Sequence, residues 1–241
     1  MTLTIDKDFR ADLGDARDQG RRPTCLSFAA SDAHRHRRRY PKLLSVEWLF
    51  YHVAKHAGTG ANTGTTMPDT RAVLQALGQP EEAVWPYSKT HPAPTVWQPP
   101  SSSPDLMCCG STPCAENILA VRAQVDEGIP VVIGMFTSTT FQAPTNWAHY
   151  GAEIVLGRDS GEPIDPARGH ALLVVGRGWV SSEPILLVRN SWGPKWGTNG
   201  HAWLYEDYLA PRLAGAFVIS KGEDGVLQSY RSSTHADARL G

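Results

Sequence analysis

Cys25 stands apart from the other three cysteines of this 241-residue chain, at a position that favours its ionised form. The preceding Pro-Thr pair is typical of the start of a helix, because both residue types are preferred there. Free N–H groups and the positive dipole end of a helix stabilise a thiolate, the nucleophilic form of cysteine. The sequence therefore makes Cys25 a candidate nucleophile; a small buried helix residue is the alternative interpretation.

A histidine and an asparagine later in the chain have the chemistry to complete such a site. His170 opens the apolar stretch HALLVVG, so a strand would anchor it while its ring faces a cleft. There an imidazole can pair with a thiolate and later protonate a leaving amine. Asn190 ends the stretch PILLVRN, and its amide oxygen can accept the second ring N–H and fix the tautomer. A surface histidine and a turn asparagine are the alternatives for each residue taken alone.

The elements that must position these residues change type along the chain. Residues 1–24 are expected to be irregular or extended. Apolar spacing of three and four residues, with capping residues and closing glycines, predicts helices over 25–39, from about 45 to 57, over 69–77 (capped by Asp69) and over 115–127. Runs of Val, Ile and Leu bounded by Gly and Pro predict strands over 130–136, 170–176, 184–189, 201–205 and 216–220.

A proline-rich stretch over 79–114, with eight of the 18 prolines, predicts an irregular connection between two lobes. We expect an N-terminal segment over 1–24, a mainly helical lobe over 25–110 carrying the nucleophile, a mainly β lobe over 111–220 carrying the histidine and asparagine, and a flexible tail over 221–241. Ligand sites form preferentially between lobes, so the cleft is the expected site.

Composition excludes several classes of function. The formal net charge of −1 argues against nucleic-acid binding, which usually comes with a strong basic excess. The longest apolar run, 129–136, is far short of the roughly 20 residues that a membrane span needs. The first 20 residues lack the apolar core of a secretory signal, so we expect a cytoplasmic protein, with export by another route left open. A preference for arginine over lysine indicates a bacterial source.

The remaining cysteines and a basic run give no second site. Cys108, Cys109 and Cys114 lack the pair spacing of a zinc site and an evident fourth ligand, so we expect neither a metal nor a cofactor. The basic run 34–39 has the charge to bind an acidic partner, but complementing a helix C-terminus is the expected role.

Taken together, these segments resemble the papain family (C1) of cysteine peptidases. The resemblance rests on DARDQGRRPTCLSFAASDA, LSVEWLFYHVAK, DTRAVLQALGQPEEAVWPY, HALLVVGRGW and ILLVRNSWGPKWGTNGHAWL. In this family the histidine and asparagine lie roughly 130–150 residues beyond the cysteine; His170 falls inside that window and Asn190 slightly beyond it. The resemblance implies an α+β fold of two lobes, a helical left lobe and an antiparallel, β-barrel-like right lobe, with the active-site cleft between them.

The resemblance also implies roles for individual residues. Cys25 would be the nucleophile, His170 the acid and base, and Asn190 the residue that orients the imidazole. Gln19 would donate its side-chain N–H, with the backbone N–H of Cys25, to the tetrahedral oxyanion; losing one such donor typically costs about 10²–10³ in rate. Trp192 would shield the histidine–asparagine bond. Implied substrate contacts are Met67, Gly134, Gly169, Ala171, Trp192 and Trp196.

Two of these contacts are more specific. Met67, Gly134 and Ala171 are expected to form the pocket that reads the residue two before the scissile bond. Trp196 is expected to line the primed side of the cleft. The implied function is hydrolysis of a polypeptide substrate through an acyl-enzyme thioester. The alternatives are a thiol acyltransferase or deamidase on the same scaffold, which would share that intermediate, and a catalytically silent binding module.

The sequence departs from the family pattern at three places. Arg22 stands where the family has its first, disulfide-forming cysteine. Residues 62–68 lack the expected cysteine and paired glycines, which puts the backbone contacts to substrate in doubt. Cys25 comes too early for an inhibitory propeptide to precede it, so we expect restraint by other means, such as an inhibitor or immunity protein. Missing disulfide cysteines agree with a reducing compartment.

Overall fold

The structure is a computed structural model that describes residues 2–102, 104–142, 147–157, 161–220 and 227–229. Apart from 227–229, the tail over 221–241 that we expect to be flexible lies outside the described residues. The helices are α1 (Arg10–Leu13), α2 (Cys25–Arg38), α3 (Val46–His56), α4 (Met67–Ala76), α5 (Ile118–Asp126), α6 (Thr139–Gln142) and α7 (Glu206–Leu209).

Side-chain caps set where the longer helices begin. The Ser45 side chain accepts a hydrogen bond from the Trp48 N–H at the start of α3, and Asn117 caps α5 in the same way. The prediction that Asp69 caps the third helix is wrong: Thr66 accepts the Asp69 N–H, so α4 begins at Met67. The Thr66 hydroxyl oxygen satisfies one of the free N–H groups of the first turn, that of Asp69, which leaves Asp69 inside this turn.

The strands form one large sheet and one small one. They are β1 (Leu3–Asp8), β2 (Asp105–Met107), β3 (Ser111–Pro113), β4 (Val131–Phe136), β5 (Ala148–Tyr150), β6 (Glu153–Leu156), β7 (Gly169–Val180), β8 (Glu183–Arg189), β9 (His201–Tyr205), β10 (Leu213–Ile219) and β11 (Leu227–Ser229). The large sheet runs in the order β3-β10-β4-β7-β8-β9-β6-β5, with β1 paired to β7, and β2 pairs with β11.

The predicted α+β class is confirmed, but the sheet differs from the expected antiparallel barrel. β6 and β9 pair in parallel, whereas the other strand pairs of the described chain are antiparallel. Within the described residues, β3 and β5 form the two ends of the order and do not pair with each other, so the sheet is open and mixed.

Strand β7 is buried on both faces, which explains its unbroken apolar sequence. Leu173 and Val175 belong to a core shared with the helices α2, α3 and α4. Leu172 and Val174 point the other way, into a second core closed by α5 and α7. The strand that begins with His170 is therefore fixed by packing on two sides.

Strand β1 lies in the segment expected to be irregular or extended. It pairs with the second half of β7, where Gly176 and Gly178 leave room for its backbone. A Cβ at either glycine would overlap a carbonyl oxygen of β1, Lys7 O in one case and Thr4 O in the other. These glycines therefore permit close strand pairing, and β7 runs past Gly176, the predicted end.

No helix in the described part of the chain has the length and apolarity to span a bilayer.

Candidate active site

Cys25 is the first residue of α2, at the junction between the helices and the sheet. It lines a cleft of about 560 Å³ together with Gln19 and His170. The backbone N–H groups of Leu26 and Ala171 face its sulfur and lower the pKa of the thiol. Residues from the first turn of a helix and from a central strand thus converge on one sulfur atom.

Strands β7 and β8 bring His170 and Asn190 together. The two strands are antiparallel neighbours, with Leu173 opposite Arg189, so the start of one lies beside the end of the other. The His170 Nε2 and Asn190 Oδ1 atoms are 2.8 Å apart. Because this bond occupies Nε2, the other ring nitrogen is left for the hydrogen bond between the imidazole and the Cys25 sulfur.

Aromatic rings cover the bond between His170 and Asn190. The Trp192 ring centroid lies 4.6 Å from that of His170, and Phe141 packs against Trp192 with centroids 5.5 Å apart. His170 is only 9% exposed and Asn190 only 3%. The rings keep water away from this hydrogen bond, which strengthens it.

The thiol and the imidazole shift each other's pKa in opposite directions. Burial raises the pKa of the Cys25 thiol, but the charge and hydrogen bond of His170 outweigh burial and lower it below its ordinary value. Burial likewise lowers the pKa of His170, but the charge and hydrogen bond of Cys25, with the bond to Asn190, raise it overall. The pair is therefore stabilised as thiolate and imidazolium.

The other cysteines lack such a partner. Burial raises the pKa of the thiols of Cys108 and Cys114, and it raises that of Cys109 to about 12. All four cysteines are free thiols. In the described residues no group of three or more His, Cys, Asp or Glu side chains is arranged to hold a metal ion.

Two hydrogen bonds fix the side-chain amide of Gln19. Its Nε2 donates to the Arg22 carbonyl over 2.6 Å, and its Oε1 accepts from the Ser191 hydroxyl over 2.5 Å. The bonds define which end of the amide is nitrogen and leave one N–H of Nε2 for the cleft. Sequence reasoning did not single out Ser191, although its place directly after Asn190 was a usable signal.

The predicted substrate contacts separate into two groups. Met67, Gly134, Gly169, Ala171 and Trp192 all line the cleft beside Cys25. Trp196 is not among the residues that line this cleft: it is 8% exposed and packs against Trp192 with ring centroids 6.0 Å apart, and its place on the primed side stays a prediction. The Met67 side chain approaches Gly134 and Gly215 so closely that a Cβ at either would crowd its sulfur or terminal methyl group.

An ion pair stands where the resemblance places a disulfide-forming cysteine. Arg22 is fully buried and binds both carboxylate oxygens of Glu47, at 2.5 and 2.7 Å. The same guanidinium donates to the Ser88 carbonyl, and the Trp97 indole N–H donates to Glu47. This pair connects the loop before Cys25 to α3, and sequence reasoning missed Glu47.

A second buried ion cluster connects the helices to the sheet directly behind the catalytic candidates. Asp32 of α2 accepts from Arg189 Nε at 2.7 Å and from Arg17 Nη2 at 3.1 Å. Burial raises the pKa of Asp32, but the two arginine charges outweigh it and keep the carboxylate ionised. Since Arg189 immediately precedes Asn190, the cluster ties the nucleophile's helix to the asparagine's strand.

Two solved structures of similar fold are cysteine proteases. Xylellain, a cysteine protease from Xylella fastidiosa, superposes with a TM-score of 0.72 at 22% identity, covering 92% of this chain and 88% of that one. The Carica candamarcensis cysteine protease CMS1MS2, solved in complex with E-64, gives a TM-score of 0.68 at 18% identity, covering 90% and 98%. At these identities the likeness establishes the fold.

Sequence comparisons identify the family. Peptidase 1 from Euroglyphus maynei is 26% identical over 142 residues, 58% of this chain and 41% of that protein. Cathepsin R from Mus musculus is 27% identical over 169 residues, 68% of this chain and 47% of that protein. The chain spans less than half the length of these two curated relatives. The family model described as papain family cysteine protease matches residues 4–210. The chain therefore belongs to the papain family of cysteine proteases.

Proposed function

We propose that this chain hydrolyses peptide bonds with Cys25 as nucleophile and His170 as acid and base. The observation that carries the proposal is the continuous contact from the Cys25 sulfur through the His170 ring to the Asn190 amide, at the wall of an open cleft. A thiolate, a proton donor and an orienting group are the parts that covalent acyl transfer requires.

The first half of the reaction forms a thioester. The Cys25 thiolate attacks the scissile carbonyl carbon, and a C–S bond forms as the carbonyl π electrons move to oxygen. The resulting oxyanion lies within the reach of the free Gln19 N–H and the Cys25 backbone N–H. Collapse of this intermediate breaks the C–N bond, and the His170 imidazolium gives its proton to the leaving amine.

The second half regenerates the enzyme. Neutral His170 takes a proton from a water molecule, which attacks the thioester carbon. Collapse of the second tetrahedral intermediate breaks the C–S bond and releases the carboxylic acid product and the thiolate, while His170 is again protonated. Asn190 holds the ring in place through both halves. Its side-chain oxygen accepts a hydrogen bond from the Nε2–H of His170, which selects the tautomer that carries a proton on Nε2.

The walls of the cleft indicate which part of a substrate gives specificity. Met67, Gly134 and Ala171 line it beside Ala214, so one wall is apolar and free of charge. We assign this wall to the side chain two before the scissile bond and expect it to accept apolar residues. Hydrophobic contact supplies the binding energy there, while hydrogen bonds orient the backbone.

Peptide-library cleavage by the wild type and by Cys25→Ala tests the proposal. We expect cleaved peptides from the wild type and none from the variant, whose fold is checked by circular dichroism. The epoxide E-64 or iodoacetamide should label Cys25 far faster than Cys108, Cys109 or Cys114 at neutral pH. Equal labelling of the four thiols, or cleavage that survives Cys25→Ala, would contradict the proposal.

The same experiment distinguishes the alternatives that share the thioester. Acyl transfer or deamidation would modify a glutamine and leave the peptide backbone intact, whereas a binding module would keep its effect in Cys25→Ala. Restraint by an inhibitor or immunity protein, the division into lobes and the cytoplasmic location stay predictions from the sequence.

A further inference from the structure

The described walls of the cleft carry basic side chains and no carboxylate. Its charged or titratable residues, other than Cys25, are Arg21, Arg22 and His170. Gly169, directly before the histidine, contributes no charge. Within the described lining, the only negative charge that a substrate carboxylate would meet is the Cys25 thiolate, which is paired with the His170 imidazolium.

Two of the three basic groups already have a partner within the protein. Arg22 is fully buried against Glu47, and His170 pairs with the Cys25 thiolate. Arg21 is exposed and forms no ion pair or hydrogen bond within the part of the chain that the structure describes. Its guanidinium is thus the one group of the three whose charge is open to a ligand.

Other charged groups close to the cleft are engaged in ion pairs with one another. On the side of Gln19, Asp18 pairs with Lys89 at 2.7 Å. On the side of Gly169, Arg168 lies 3.1 Å from Glu162 and 3.4 Å from Asp165. These neighbours leave the charge of Arg21 uncancelled in its own part of the cleft.

The backbone on both sides of Arg21 is fixed. The Gln19 N–H donates to the Ser191 carbonyl at 2.8 Å, and the Gly20 N–H donates to Asp18 at 2.9 Å. On the other side, Arg22 is anchored by its buried guanidinium. The Arg21 side chain therefore extends from a held position next to the oxyanion donor, which lowers the entropy lost when it binds a ligand.

We propose that Arg21 makes this cleft select polypeptides with a carboxylate side chain close to the scissile bond. The proposal rests on the peptidase function argued above and names its substrate class. A solvent-exposed ion pair of this kind gives about a 2-fold to 5-fold gain in kcat/KM for the acidic substrate. Salt screens exposed charges, so the preference must shrink on going from low salt to about 0.3 M salt.

Matched peptides test this selection. In each set, Glu, Gln or Lys occupies one of the three positions on either side of the scissile bond, and kcat/KM is measured for the wild type, Arg21→Gln and Arg21→Glu. The control is Arg39→Gln, which removes an exposed arginine that lines a different cavity. We expect a Glu preference at one or more positions in the wild type and in the control, its loss in Arg21→Gln, and a preference for Lys in Arg21→Glu.

A second readout separates this proposal from the peptidase function. Iodoacetate is anionic and iodoacetamide is neutral, and both alkylate the Cys25 sulfur. The alkylation rate with iodoacetate divided by that with iodoacetamide should fall about 2-fold to 5-fold in Arg21→Gln and stay unchanged in Arg39→Gln. The change in this ratio is expected even if the protein cleaves none of the peptides. An unchanged ratio in Arg21→Gln, or a Glu preference that survives that substitution, would overturn the role of Arg21.

Discussion

Asn190 affects the chemistry through the proton on His170. The bond between the two side chains is one of the contributions that raise the imidazole pKa, after the charge and hydrogen bond of Cys25. The reactive thiolate–imidazolium pair is the main form in the pH range between the lowered pKa of the thiol and the raised pKa of the imidazole. The acid limb of a pH–rate profile reports loss of the thiolate, and the alkaline limb reports loss of the imidazolium proton.

We predict that Asn190→Ala moves the alkaline limb of kcat/KM to lower pH. Removal of the hydrogen bond lowers the pKa of His170, so the imidazolium is lost earlier as pH rises. The check is a pH–rate profile of both proteins with one peptide, alongside the pH dependence of Cys25 alkylation. An alkaline limb that stays in place would show that Asn190 does not act through this proton.

Gln19 acts on the oxyanion and not on the thiolate. Its amide is held by Arg22 and Ser191, and it makes no contact that shifts the pKa of Cys25. We predict that Gln19→Ala lowers kcat by about 10²–10³-fold, because one donor to the oxyanion is lost. Steady-state kinetics measure this loss, and iodoacetamide alkylation of Cys25 serves as the control. Alkylation passes through no oxyanion, so a comparable loss there would refute the assignment.

At the scale of the elements, a buried ion pair holds the loop before α2 in place. Arg22 and Glu47 connect this loop to α3 through two short hydrogen bonds. Arg22→Met leaves the carboxylate buried, with only the Trp97 and Ser88 N–H groups as donors. We predict a loss of about 3–5 kcal/mol in the free energy of unfolding, measured with urea.

A double-mutant cycle checks that this loss comes from the unpaired charge. Glu47→Gln removes the charge but keeps an oxygen that can accept from Trp97. Arg22→Met combined with Glu47→Gln should therefore lose much less stability than the sum of the two single changes. Simple additivity would mean that the two side chains do not interact in the way described.

The long elements could be predicted from the sequence, and their ends could not. Apolar spacing located α2, α3 and α5 and the strands β4, β8 and β9 to within a few residues. Strand β7 was predicted too short because Gly176 and Gly178 resemble a strand end, whereas they admit the backbone of β1. Short strands such as β5 and β6 lack enough residues to show a period.

Within the site, the sequence indicated the groups that react but not the ion pairs that hold them. Cys25, His170 and Asn190 lie in motifs that are recognisable along the chain. Asp32 meets Arg189 across a separation of 157 residues, so no local pattern predicts their contact. Arginines and acidic residues are common, and only the fold shows which of them are buried together.

At the scale of the whole molecule, two groups of buried charges lie at the junction between the helices and the sheet. The Asp32 cluster and the Cys25–His170 pair both lie between α2 and the sheet. Removing one partner from such a cluster leaves the other charge buried and unpaired, at a cost that exceeds that of a surface pair. The junction therefore needs each charge to keep its partner, and it connects a site whose parts come from both sides.

Three histidines, two of them buried and one half-buried, make the stability of the molecule depend on pH. Burial lowers the pKa of His34 in α2, His52 in α3 and His201 in β9 to about 4 each. An unfolded histidine has a pKa near 6.5, so between about pH 6.5 and pH 4 the unfolded chain binds protons that the folded chain excludes. The contribution of these histidines to the free energy of unfolding is therefore fully present above this pH window, and it is lost as pH decreases through the window.

We predict that the free energy of unfolding falls by several kcal/mol between pH 8 and pH 5, since each of these histidines contributes about 2 kcal/mol at pH 5. Glu82 and Glu206, whose pKa values burial raises, bind protons in the folded state and offset part of the loss. Urea unfolding at several pH values measures the slope, and proton uptake on unfolding at pH 5 gives its sign independently. Release of protons, or stability that stays constant across this window, would show that the histidines are not held neutral.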